Sequence, residues 1–132
     1  MSRGNVEVVQ RILRAWAEGN FRAPIDEFDP NIVLVVRPPF AEPGVFLGPE
    51  GIRGYMQGFL AQWERYRIEA KDLREAGDKV LTRVVQHGTG RSSGVEGKMP
   101  SFVLFTFRGR RIVRMEFVLD EREALEAAGL SE

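Results

Sequence analysis

The segment PEGIRGYMQGFLAQWERY, residues 49–66, decides the fold that we predict for this chain. Its apolar residues recur at steps of three and four positions from Ile52 to Trp63, which is the spacing of an amphipathic helix. The apolar face of that helix needs a partner. The runs that follow are rich in strand-forming residues and are separated by turn signals: Ile68–Ala70, Val80–His87, Phe102–Phe107 and Ile112–Leu119. Helices therefore precede a sheet, which predicts an α+β fold.

Further helices are predicted from apolar spacing and from capping residues. The apolar residues between Asn5 and Gly19 share one helical face, and a short second helix is expected over Asn20–Phe28. A last helix begins after Asp120, where Glu123 follows three positions later as in a capping box. Gly129 is suited to end that helix.

The remaining segments read as a first strand and as turns. Ile32–Val36 is a β-branched run typical of a strand buried on both faces, and a loop follows it as far as Gly48. Gly77 marks one turn, and Gly88–Gly97 reads as a flexible connection rich in Gly and Ser. Arg108–Arg110 is predicted to be a tight hairpin, so neighbouring antiparallel strands are the simplest arrangement.

Composition narrows the class of protein. The chain has 132 residues, of which 43% are hydrophobic and 29% charged, so we expect one globular domain over residues 1–132. Nineteen basic residues balance nineteen acidic ones, which argues against a nucleic-acid or membrane partner. Cysteine is absent and there is one histidine, which argues against a zinc site. The N-terminal residues lack the pattern of a signal peptide, so we expect a cytoplasmic protein.

Four stretches carry a family resemblance. They are AWAEGNF (15–21), VVRPP (35–39), GPEGIRGYM (48–56) and IVRMEFVLDEREALEAAGL (112–130). In this order they resemble the nuclear-transport-factor-2-like superfamily, and within it the SnoaL-like proteins. The resemblance implies a cone-shaped roll in which N-terminal helices pack on a strongly curved antiparallel or mixed sheet, followed by a short C-terminal helix. It also implies an apolar pocket at the open end and a homodimer formed through the outer sheet face.

The resemblance leaves the activity open, because the superfamily includes enzymes and non-catalytic binding proteins. Ketosteroid isomerases use an aspartate base together with a tyrosine and a protonated aspartate. In our alignment the base falls on Arg37, the tyrosine on Ile12 and the second acid on Val103. This catalytic set is therefore not retained.

The catalytic set of limonene-type epoxide hydrolases is not retained either. The arginine of its Asp-Arg-Asp arrangement falls on Arg83, but the two aspartates fall on Val85 and Phe117. An arginine stays protonated at ordinary pH and cannot activate water as a base.

His87 and Arg83 are the candidate catalytic residues that the sequence offers. They lie on the same face of one predicted strand, because alternate residues share a face. A neutral imidazole could act as a general base next to a carbonyl, and Arg83 could stabilise the resulting enolate. The alternative is structural: His87 bonded to backbone near a strand end, and Arg83 paired with an acid such as Glu116 or Asp120.

Large apolar residues at helical or strand spacing are predicted to surround the pocket, although most such residues simply form a core. The predicted lining is Trp16, Arg37, Tyr55, Phe59, Trp63, Val85, Phe102, Val103, Phe105, Met115 and Phe117. Met115 and Phe117 are favoured because alternation places them where relatives carry the acid of the final strand.

Two functions follow as hypotheses. In the first, the protein binds or converts a small apolar cyclic molecule, such as a polyketide- or steroid-like carbonyl compound, by proton transfer without a cofactor. In the second, it is a non-catalytic dimeric module that binds a ligand or another protein.

Overall fold

A computed structural model describes residues 2–22, 27–40 and 42–130. These residues form three helices and one six-stranded sheet, which confirms the predicted α+β class and the cone-like arrangement. The elements are α1 (Ser2–Ala17), β1 (Phe28–Val36), β2 (Gly44–Leu47), α2 (Gly48–Leu60), β3 (Trp63–Ala76), β4 (Lys79–Gly90), β5 (Glu96–Arg108), β6 (Arg111–Val118) and α3 (Glu121–Ala128).

The sheet is mixed, with the strand order β2-β1-β6-β5-β4-β3. Strands β1 and β6 run parallel, and the other neighbouring pairs are antiparallel. Bulges interrupt several of the pairings, among them β3–β4 and β5–β6, and a bulge bends the strand that carries it. These bends help to curve the sheet around one side.

The two faces of the sheet support separate apolar clusters. Val80 and Val103 face the larger cluster, which includes the apolar side of α1. The next residues along the same strands, Leu81 and Leu104, pack with α3 in the smaller cluster. Since successive side chains of a strand point to opposite faces, α1 and α2 cover the concave face and α3 covers part of the outer face.

Helix α3 has the predicted capping residues. The Asp120 carboxylate accepts a hydrogen bond from the backbone N–H of Glu123 at 3.0 Å. Gly129 ends the helix with a φ of 77°, a left-handed conformation that glycine adopts without a steric penalty.

The prediction of one continuous helix over residues 49–66 is wrong beyond Leu60. The backbone N–H groups of Ala61 and Gln62 close the last helical turn, and β3 begins at Trp63. Arg65 has a positive φ of 54° within a bulge, so the side-chain alternation is broken there. Tyr66 therefore lies on a strand, although its spacing from Phe59 and Trp63 also fits a helix.

Other boundaries also differ from the prediction. Residues 23–26 of the predicted second helix lie outside the described residues, and Phe28 begins β1. The loop expected before Gly48 contains the short edge strand β2. Half of the expected Gly/Ser connection belongs to the ends of β4 and β5, and residues 91–95 form the turn between them.

Within the described ranges, no helix is both long enough and apolar enough to cross a membrane.

Candidate functional site

A cavity of about 280 Å³ lies between α2, the end of α1 and the concave face of the sheet. Its wall is largely apolar and rich in aromatic rings, and its volume is just below the range of about 300 to 1,000 Å³ that is usual for ligand pockets. The aromatic residues of the wall are Trp16, Phe21, Phe28, Phe40, Tyr55, Phe59, Trp63, Tyr66 and Phe117.

Helix α2 and the start of β3 supply a continuous series of rings. The Tyr55 and Phe59 ring centroids are 6.1 Å apart, and those of Phe59 and Trp63 are 6.2 Å apart. Tyr66 meets Phe59 edge-on with a centroid separation of 4.7 Å. Tyr55 and Phe59 can meet because residues four apart lie on one helical face.

Across the cavity, α1 and β6 provide the opposite rings. Trp16 stacks on Phe117 with the centroids 6.2 Å apart, and it also contacts Phe105 at 5.9 Å. Such pairs bury large apolar area and fix ring orientation. The cavity therefore has aromatic surfaces on both sides.

Tyr66 and Gln86 form the polar part of the deep wall. The Tyr66 hydroxyl donates a hydrogen bond to Gln86 Oε1, and Gln86 Nε2 donates one to Ser101 Oγ at 2.9 Å. Burial raises the pKa of Tyr66 well above its ordinary value, so this hydroxyl stays neutral at physiological pH. The chain Tyr66–Gln86–Ser101 thus holds the carboxamide in one orientation.

Glu42 is the described lining residue that carries a formal charge. Its side chain is exposed, so it lies at the open rim of the cavity. Burial raises the pKa of Tyr55, and the negative charge of Glu42 raises it further. The part of the chain that the structure describes contains no group of three or more potential metal ligands.

Six of the predicted pocket residues lie in the cavity wall: Trp16, Tyr55, Phe59, Trp63, Met115 and Phe117. Val103 and Phe105 are in the apolar cluster of the concave face, but both are fully buried behind the wall. Their expected place in the lining is wrong, because neighbouring side chains cover them completely.

Three other predicted lining residues lie outside the cavity wall. Phe102 packs with the α3 cluster on the outer face of the sheet. Val85 lies on the same face, because Arg83, two residues before it on β4, pairs with Phe102. The Arg37 guanidinium donates to Glu116 Oε1, with its Nη2 at 2.6 Å, so its charge is already paired. Placing these three in the lining was wrong.

The structure also places Arg83 and His87 outside the cavity wall. On β4 the cavity-side residues are Val84 and Gln86, so the residues between and beyond them point to the outer face. Arg83 Nη2 lies 3.2 Å from Asp72 Oδ2, and both side chains are half exposed. The predicted partners Glu116 and Asp120 are not the ones it contacts.

His87 pairs across strands with an acidic side chain. Its Nε2 lies 2.9 Å from Glu69 Oε1, and the hydrogen bond from His87 is the main cause that lowers the pKa of Glu69. The assumption that both candidates share one strand face is consistent with the register, but that face is the outer one. The prediction that His87 and Arg83 form a proton-transfer site inside the cavity is therefore wrong.

Sequence reasoning missed four polar residues of the wall, namely Glu42, Gln62, Tyr66 and Gln86. Gln86 could have been found, because it is a polar residue that alternates with Val84 on a strand otherwise assigned to the core. Tyr66 could not be found because its spacing fits the predicted helix over residues 49–66. Glu42 could not be found because its loop has no periodic pattern.

A comparison with protein families matches residues 9–115 to the SnoaL-like domain. The chain belongs to the SnoaL-like family. No curated protein matches it significantly.

Solved structures share the fold at low sequence identity. A candidate SnoaL-like polyketide cyclase from Jannaschia has 17% identity and a TM-score of 0.77, over 99% of this chain and 95% of that one. TerC, co-crystallised with polyporic acid, has 18% identity and a TM-score of 0.77 over 96% and 98%. A Catenulispora acidiphila protein with a ketosteroid isomerase-like fold, in complex with trimethylamine, has 23% identity and a TM-score of 0.74 over 95% and 94%.

Proposed function

We propose that this SnoaL-like protein binds a small, largely apolar cyclic molecule in the aromatic cavity, oriented by Tyr66 and Gln86. The observation that carries the proposal is the hydrogen-bonded pair Tyr66–Gln86 in a wall that is otherwise mostly apolar. Apolar pockets with a few well-placed polar groups are typical ligand sites. Two proteins of the same fold were crystallised with small organic molecules, polyporic acid and trimethylamine, which supports a ligand-binding role.

The polar pair favours a ligand that carries a hydroxyl or a carbonyl group. The proton of the Tyr66 hydroxyl is directed to Gln86, so its oxygen can accept a hydrogen bond from a ligand hydroxyl. The Gln86 amide has two N–H donors, of which one serves Ser101, so the other can donate to a ligand carbonyl. A cyclic compound with one or two oxygens, as in a polyketide or a steroid, fits this chemistry.

Binding is supported better than proton transfer. The histidine and the arginine that could have served as base and oxyanion donor lie on the outer face, in pairs with Glu69 and Asp72. Tyr66 is neutral and already hydrogen-bonded, so it is a poor base. The cavity as built is suited to hold and orient a ligand.

A thermal-shift screen with aromatic polyketides, steroids and terpenes tests this proposal. A ligand that binds only the folded protein raises the melting temperature. We expect one of these classes to raise it, and we expect the rise to shrink in Tyr66→Phe. The proposal fails if no class raises the melting temperature.

We also propose that two copies pair through the outer face of the sheet. Val85 and Pro100 are neighbours there, flanked by the cross-strand pairs Asp72–Arg83 and Glu69–His87. Charges of both signs placed around an apolar centre suit a two-fold contact, in which one surface meets a copy of itself. This assembly also fits the alternative of a non-catalytic binding module.

A further inference from the structure

We infer that the ligand of the cavity carries an ammonium cation, bound between the Glu42 carboxylate and the ring of Tyr55. This inference rests on the proposed function, because it specifies the chemical class of a ligand held in the same cavity. The apolar body of the ligand would lie among the inner rings, and its charged end would lie at the rim.

The first supporting observation is the sign of the charge at the rim. Among the described lining residues there is no Lys, Arg or His, whereas Glu42 contributes a carboxylate. The negative charge of Glu42 also acts on Tyr55, whose pKa it raises in addition to the effect of burial. Both side chains line the same cavity, so a ligand held there meets the carboxylate and the ring together.

The second observation concerns the partners of Glu42. Its carboxylate forms no ion pair or side-chain hydrogen bond with any other residue that the structure describes. The acidic residue Glu116, by contrast, is paired with Arg37 and Arg114. As far as the described residues go, the charge of Glu42 is available to a ligand.

The third observation is the surrounding aromatic surface. The Tyr55 ring lies 4.8 Å from that of Phe46 and 6.1 Å from that of Phe59, measured between centroids. The face of an aromatic ring attracts a cation within about 6 Å of its centroid, and it attracts quaternary ammonium groups in particular. An anionic ligand would be repelled by both the rings and Glu42, and a neutral ligand would gain nothing from the carboxylate.

Two isosteric probes separate charge from shape. Phenyltrimethylammonium and tert-butylbenzene have the same outline, but only the first is a cation. Trp16 and Trp63, the two tryptophans of the chain, both line the cavity, so intrinsic fluorescence reports its occupancy. At low ionic strength we expect the cation to bind about tenfold more tightly than the neutral probe.

Glu42→Gln keeps the size of the side chain and removes its charge. We expect this variant to bind the two probes within about twofold of each other, because the remaining cation–ring attraction is the smaller part. Glu50→Gln is the matched control, since Glu50 is exposed on α2 and pairs with Arg53 outside the cavity wall. Glu50→Gln should bind phenyltrimethylammonium more tightly than tert-butylbenzene, as the wild type does.

Each outcome decides the question. Equal affinity of the wild type for the two probes would overturn the inference that the ligand is a cation. So would a Glu42→Gln variant that still prefers phenyltrimethylammonium to tert-butylbenzene. In both cases the cavity would remain a binding site. A fluorescence response to neither probe also overturns the cation, whereas a failed thermal-shift screen overturns the proposed function itself.

Discussion

Tyr66 on β3 and Gln86 on β4 are joined by a hydrogen bond inside the wall of the cavity. The bulge between Glu64 and Arg67 lets Tyr66 reach this position, while Ile68 pairs directly with Gln86. A buried hydroxyl and a buried amide are costly unless they are hydrogen-bonded, and here each satisfies the other. The pair gives one defined polar point to a cavity that is otherwise shaped by rings.

Removal of the Tyr66 hydroxyl should affect both stability and binding. Tyr66→Phe leaves the Gln86 Oε1 acceptor without its partner, so we expect a loss of about 1 to 2 kcal/mol in the free energy of unfolding. Affinity for an oxygen-bearing ligand should also fall, because the amide loses its fixed orientation. Urea denaturation and ligand titration of the variant measure the two effects.

Tyr55→Phe is the matched control for this change. The Tyr55 hydroxyl forms no side-chain hydrogen bond within the described residues, so its removal should cost less stability. If Tyr66→Phe lowered the free energy of unfolding by less than Tyr55→Phe does, the stabilising role of the Tyr66–Gln86 hydrogen bond would be contradicted.

Substitution of the outer-face residues should leave ligand binding intact. Arg83→Ala and His87→Ala remove side chains that point away from the cavity and pair with Asp72 and Glu69. We expect the dissociation constant of any cavity ligand to stay within about twofold of the wild type, since direct contacts dominate affinity. A loss of tenfold or more by either variant would return that residue to the site.

Glu116 should make the stability depend on pH in the acid range. Its side chain is buried, which raises its pKa, but hydrogen bonds and charges from Arg37 and Arg114 outweigh burial and bring the pKa below 4.5. A depressed pKa means that the stabilisation is fully present above about pH 4.5 and is lost as the pH falls through the lower folded pKa.

Glu116→Gln should remove much of this acid dependence. It should also lower the free energy of unfolding at pH 7 by about 2 kcal/mol, because two arginines lose a charged partner. Denaturation curves between pH 3 and pH 7 compare the variant with Glu50→Gln, whose exposed carboxylate should matter little. An identical pH profile for wild type and Glu116→Gln would refute this account of Glu116 and its two arginine partners.

The oligomeric state tests the outer-face contact. We expect a dimer of the wild type in native mass spectrometry, and a monomer for Val85→Glu, which places a charge at the centre of the face. Val45→Glu is the control, because Val45 is exposed on the edge strand β2, four strands away in the sheet order. A wild type that is monomeric, or a Val85→Glu dimer, would count against this interface.

Much of the fold could be predicted from the sequence because local signals agree with the packing. The apolar stripe of α1 predicts that helix, and the capping residues Asp120 and Gly129 predict α3. Both helices lie where they are predicted. Helix α2 was also found, but its end was not. Tyr55, Phe59, Trp63 and Tyr66 continue one helical spacing, and only pairing with β4 turns the last two into strand residues.

The site was harder to predict because it depends on which face of each strand is concave. Arg83, Val85 and His87 share a face, as the sequence indicates, but the alternation cannot say whether that face meets the cavity. In the structure Val84 is buried in the cluster of the concave face, so its neighbours Arg83 and Val85 point to the outer face. Glu42 lies in a loop before β2, where no periodicity points to the cavity.

Calorimetric titration at several temperatures, with a cyclic ketone found in the thermal-shift screen, tests the central claim most directly. Burial of apolar surface in the cavity predicts one site per chain, a negative heat-capacity change and loss of binding in Ile52→Trp, which fills the space between α2 and the sheet. Unchanged binding by a folded Ile52→Trp variant would show that the ligand binds elsewhere.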